Sequence, residues 1–115
     1  MCKTCDQLRV LFKNAKSDQH GNYTSTIDQL TTLKQNSKIE IIMADCDFEE
    51  AIEVLYSEMH YTVLHYFHCT ECQAIHRIGA CIRGAPLYEN NIKIDFAEES
   101  KKLWGNVGTY FREIT

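Results

Sequence analysis

The chain has one proline, one tryptophan and five glycines in 115 residues. So little proline and glycine excludes a Pro/Gly-rich linker, and no internal repeat or low-complexity tract breaks the sequence. No apolar run approaches the roughly 18 residues that cross a bilayer. The start, Met1-Cys2-Lys3-Thr4-Cys5-Asp6, has no apolar segment behind its charge. The expectation is a cytoplasmic chain with reduced thiols and no membrane partner. Catalytic signatures are missing too: there is no G-x-S-x-G, no P-loop, no G-x-G-x-x-G and no H-E-x-x-H. Ser17, Ser25, Ser37, Ser57 and Ser100 have no evident base, so no enzyme activity is expected.

The most informative absence is of positive charge. Between Ile39 and His76 there is no Lys or Arg, while Glu40, Asp45, Asp47, Glu49, Glu50, Glu53, Glu58 and Glu71 all fall there. The net charge of −4 therefore divides into an acidic middle and slightly basic flanks. Phosphate repels such a surface, so nucleic acid is not an expected partner.

What is present describes a folded domain. Hydrophobic residues make up 44% and charged residues 24%, close to the globular average. A chain of this length buries roughly two thirds of its unfolded surface. Thr4 and Gln7 have capping-box spacing, and Leu8, Leu11, Phe12 and Ala15 follow at helical intervals. After the break at His20-Gly21-Asn22, Ile27, Leu30 and Leu33 predict a second helix from about Thr24 to Gln35, stopped by Asn36-Ser37. Lys38–Ala44 reads as a strand. Asp47, with Glu50 three residues on, caps a third helix whose stripe is Phe48, Ala51, Ile52, Leu55 and Met59; Asp45 and Asp47 are thus explained as turn and cap. Tyr61–Cys69 and Ala74–Arg83 read as a hairpin turning at Thr70-Glu71. A further strand is expected at Ile92–Phe96 after Asn90-Asn91, then a helical turn over Ala97–Leu103. Gly105 and Gly108 break a tail whose Trp104, Val107, Tyr110 and Phe111 should dock on the body. The order ααβαβββ predicts a single α+β domain over residues 1–115: a mainly antiparallel sheet of about four strands with two or three helices packed on one face.

Six cysteines remain to be placed. Cys46 and Cys81 stand alone and read as small buried hydrophobes. Pairing Cys69 with Cys72 across a two-residue turn sets His65 against His76, Phe67 against Ala74 and Val63 against Ile78, all on the core side. Cys69-Thr70-Glu71-Cys72 at a strand–turn–strand resembles the knuckle of zinc-ribbon proteins over about fifteen residues. The resemblance implies a tetrahedral zinc site completed by a second pair, and Cys2-x-x-Cys5 is the only other pair. The candidate ligands are therefore Cys2, Cys5, Cys69 and Cys72. Two departures stand out. Gln73 occupies the usual glycine position, and the N-terminal pair overlaps a helix start. Free thiols at a turn and a frayed N-terminus are the alternative. A redox role for Cys5 lacks the βαβ context that a thioredoxin-like motif has.

A one-signed stretch this long favours capture of an oppositely charged protein. Small size, an acidic face and no catalytic apparatus are similar in type to immunity proteins that neutralise basic toxins. By chemistry, the partner contacts are Asp47, Glu49, Glu50 and Glu53, with Tyr56 as aromatic anchor. Two readings stand beside this one: a zinc-stabilised adaptor, and a small enzyme assembled from His65, His76 and Arg77. Arg83, ahead of Gly84-Ala85-Pro86, reads as a surface charge at a strand end.

Overall fold

The computed structural model describes residues 2–17, 23–82 and 86–113. The expected break at His20-Gly21-Asn22 and the Arg83 position lie outside them. Two helices come first, α1 (Lys3–Ser17) and α2 (Tyr23–Gln35). α1 buries Leu8, Phe12 and Ala15 as its spacing predicts. The expected capping box is not formed. The helix opens on the Cys2 carbonyl, which accepts from Asp6 N at 3.0 Å, and Thr4 is buried within the first turn. α2 buries Tyr23, Ile27, Leu30 and Leu33. It ends with Lys38 N on the Leu33 carbonyl and Ser37 N on the Lys34 carbonyl, while Ser37 takes a left-handed φ of 60°. This is a Schellman stop without glycine.

Four strands follow, β1 (Ile39–Ala44), β2 (Thr62–Cys69), β3 (Ile75–Cys81) and β4 (Leu87–Glu89), in one antiparallel sheet of order β1-β2-β3-β4. A 3-10 turn at Phe48–Glu50 and a short helix α3 (Ala51–Ser57) join β1 to β2. Asp47 N donates to Glu50 Oε1 at 3.3 Å at this helix start. α3 is shorter than expected: Glu58 turns left-handed at its end, so Met59 leaves the buried stripe and is 79% exposed. Two small helices, α4 (Phe96–Ser100) and α5 (Thr109–Glu113), end the described chain. The α+β class and the antiparallel sheet agree with the sequence reading. No helix among the described residues is long and apolar enough to cross a membrane.

Two strand assignments differ. The fourth strand is Leu87–Glu89, not Ile92–Phe96; it pairs Tyr88 with Ile78, and Tyr88 packs on Phe12 with ring centroids 5.5 Å apart. The buried aromatic decides the matter. Asn91, at φ 51°, then turns the chain off the sheet. The hairpin register is also shifted: Phe67 faces His76, His65 faces Ile78 and Val63 faces Ala80. The turn holds Thr70 to Gln73, with Cys69 N bonded to the Ala74 carbonyl at 2.9 Å. A shift of two residues preserves parity, so the expected core side survives. Val63, His65, Phe67, His76 and Ile78 are all buried.

The far side is not bare. A bulge at Ile42 lets Met43 pair with Tyr66, and both are fully buried. Tyr66 Oη donates to Glu99 Oε2 of α4 at 3.0 Å. The tail caps the end of the β1 edge: Ala44 and Val107 exchange both backbone hydrogen bonds, at 2.8 and 3.0 Å, which shortens the exposed pairing edge. The buried Asp45 carboxylate fixes this closure by accepting from Leu64 N, Trp104 N and Gly105 N at 2.9, 2.7 and 3.1 Å. Burial raises its pKa above the usual range, and the three N–H donors pull it back.

Candidate metal centre

The C-x-x-C at the N-terminus straddles the opening of α1. Residues three apart on a helix share a face, so Cys2 and Cys5 present their sulfurs together. The second pair frames the β2–β3 turn. Cys69 is the last residue of β2 and fully buried on the helix side of the sheet. Cys72 lies in the turn and is exposed. Gln73 adopts a φ of 66°, the left-handed conformation for which glycine is usual here. Its Nε2 donates to the Thr70 carbonyl at 3.2 Å. Thr70 pins the turn to the α2–β1 connection, its Oγ1 donating to the Ser37 carbonyl at 2.8 Å and its N to the Lys38 carbonyl at 3.1 Å.

These constraints bring the four candidate sulfurs together. Cys2 and Cys69 are 3.3 Å apart at Sγ, Cys5 and Cys72 are 3.2 Å apart, and all four lie within 4.8 Å of one another. Such spacings are too long for disulfide bonds of about 2.05 Å. They bracket the edge of about 3.8 Å expected for a tetrahedron with 2.3 Å zinc–sulfur bonds. Burial, followed by the hydrogen bonds of Cys72, Cys2 and Cys69, pushes the Cys5 thiol pKa well above its ordinary value. A divalent cation inverts that logic, because it stabilises thiolates that otherwise repel one another.

Three neighbours of the centre are not evident from the cysteine spacing alone. Glu71 Oε1 accepts from Thr4 Oγ1 at 3.3 Å, and its Oε2 lies 3.6 Å from Cys2 Sγ. This latches the turn to α1. His76 Nε2 is 3.6 Å from Cys5 Sγ, and Asn91 N donates to His76 Nδ1 at 3.2 Å. The parity of β3 already places His76 on the face of Cys69, which is the signal that identifies it.

The remaining candidates separate. The acidic stretch does not form one uniform surface. Asp45 is buried, and Glu40 bonds His68 at 3.2 Å. Lys34 of α2 approaches Asp47 at 3.2 Å and Glu49 at 3.7 Å. Glu50, Glu53 and Glu58 remain exposed along the 3-10 turn and α3, with no ion pair to Lys or Arg among the described residues. Tyr56 is 83% exposed beside them. The His65, His76 and Arg77 constellation does not assemble. His65 stacks on Phe48 at 4.6 Å in the core. Arg77 lies on the opposite face, with Glu89 and the Tyr66 hydroxyl. Cys46 is buried as expected, whereas Cys81 is half-buried.

Fold and site together define a small α+β domain with a four-thiol centre. Comparison with protein-family models, curated proteins and solved structures returns no match.

Proposed function

We propose that this chain is a small zinc-stabilised domain that acts by binding another protein. One observation carries the metal half: four sulfurs from the two ends of a long sequence separation lie within 4.8 Å of one another. Four soft thiolates in a tetrahedral arrangement suit Zn²⁺ or iron. A site with every position taken by sulfur has no open place for substrate, so its role is structural. It staples the first turn of α1 to the β2–β3 hairpin. Protein purified under reducing conditions without chelator is expected to carry close to one equivalent of zinc. Less than about a tenth of an equivalent of any metal ends the reading, and stoichiometric iron in place of zinc ends the zinc assignment.

The partner half rests on the segment from Glu49 to Tyr61. It exposes Glu49, Glu50, Glu53 and Glu58 together with Tyr56, Met59 and Tyr61. Beside it, Tyr23, Ile52, Leu55, Tyr56, Cys81 and Ile82 line a groove of about 330 Å³. Exposed aromatic and apolar anchors rimmed by carboxylates suit a basic protein surface, and a neutraliser of a basic toxin is the immunity-type role this favours. Asp47 lies at the edge of this face and is paired with Lys34. Capture of a basic protein in low salt, lost in high salt and lost with E49K/E50K/E53K, is the expected result. Capture indifferent to both salt and charge reversal would sink it.

A further inference from the structure

We infer that His76 is a positioning residue for the four-thiol centre, donating its Nε2–H to the Cys5 sulfur and fixing where that sulfur sits. This rests on the metal reading above. The argument starts from the other side of the ring. Asn91 N donates to Nδ1 at 3.2 Å; a nitrogen that accepts carries no proton, which assigns the ring hydrogen to Nε2, with the Asn90 side chain beside the same ring as the rival acceptor to the Cys5 sulfur. Nε2 lies 3.6 Å from Cys5 Sγ, within reach of an N–H···S bond. The ring has little freedom to turn away. His76 is 1% exposed, faces Phe67 across the hairpin, and lies tilted against its ring at 5.6 Å.

The centre needs such a donor. Four thiolates around one divalent cation leave a twice-negative cluster, and the Glu71 carboxylate, 3.6 Å from Cys2, adds to it. Among the described residues, His76 supplies the side-chain N–H that reaches a cluster sulfur. An N–H···S bond draws charge off the Cys5 sulfur and orients it, as partners beyond the ligand shell do for metal ligands generally. A protonated Nε2 has no lone pair to offer, so His76 supports a ligand and does not replace one.

The test is cobalt titration of the full chain under reducing conditions, followed by zinc competition. Wild type is expected to show thiolate-to-cobalt charge-transfer bands. His76→Phe, which keeps the ring volume without the N–H, is expected to bind both metals about 10–100-fold more weakly, with the bands moved to lower energy. His76→Gln, which retains an N–H donor, is expected to recover both properties. A His76→Phe protein with wild-type affinity and spectrum overturns the role of His76 alone; a wild type without charge-transfer bands overturns the metal reading with it. If His76→Phe does not fold, long-range proton–nitrogen spectra of the zinc-loaded wild type decide. A protonated Nε2 is expected, and a protonated Nδ1 or a metal-bound Nε2 overturns the inference.

Discussion

His65 sits at the centre of the core, and no hydrogen bond of good geometry reaches either ring nitrogen. Burial lowers its pKa from 6.5 to about 4; the Cys46 and Asp47 backbone and the Asp47 carboxylate oppose this, and Lys34 reinforces it. The folded state therefore binds fewer protons at this ring than the unfolded chain. Its stabilising contribution is complete above pH 6.5 and declines as pH falls through about 4, by about 3 kcal/mol in all. Urea denaturation across this window is expected to show a steeper loss for wild type than for His65→Leu. Acid acts on the four-thiol centre equally in both proteins, so their difference isolates the imidazole. Equal slopes would contradict the assignment. At this scale the sequence showed that His65 faces the core side, because alternation fixes a side. It did not show how poorly the ring is hydrogen-bonded, because that depends on which groups fold over it.

Among the elements, the tail depends on close backbone approaches at its glycines. Gly108 has φ 121°, and a Cβ there would run into the Ile42 carbonyl on β1. The bulge at Ile42 and the pairing of Val107 with Ala44 bring these backbones together. Gly108→Ala is expected to lower stability by on the order of 3 kcal/mol, read as a lower urea midpoint. Lys101→Ala, at an exposed i,i+3 pair with Glu98, is expected to change it by under about 0.5 kcal/mol. Comparable midpoints would show that the tail does not need this conformation. The sequence located α1, α2, β1 and the hairpin through periodicity, β-branched content and turn signals. It misplaced β4 because Ile92–Phe96 alternates like a strand, whereas Tyr88 gains more by packing on Phe12. It set the hairpin two residues out because cysteines framing a turn look like a cross-strand pair. In the structure Cys69 ends β2 and Cys72 sits inside a four-residue turn, Thr70 to Gln73, that brings both sulfurs to α1.

For the molecule as a whole, the thiol centre joins what packing leaves separable. α1 already buries Leu8, Phe12 and Ala15, so metal removal is not expected to unfold the chain outright. Structural zinc contributes on the order of 10 kcal/mol in small zinc-dependent domains. In a domain with its own core, chelation is expected to lower the melting temperature by at least about 10 °C. Cys69→Ser without chelator should reproduce that loss. An unchanged melting temperature in both experiments would remove the staple. Charge behaves differently at this scale: Lys34 folds back across Asp47 and Glu49, so an acidic stretch in the sequence becomes a smaller acidic rim around Tyr56.

The amino-acid order by itself determined the α+β class, the core side of each long element and the two cysteine pairs, because periodicity and motif spacing are local properties of a chain. Tertiary structure alone decided that the pairs meet, that His76 stands against Cys5, that Asp45 ties the tail to β2 and that the acidic stretch is divided. Each of those results needs atoms distant in sequence to reach within a few ångströms of one another, and local pattern carries no information about that distance.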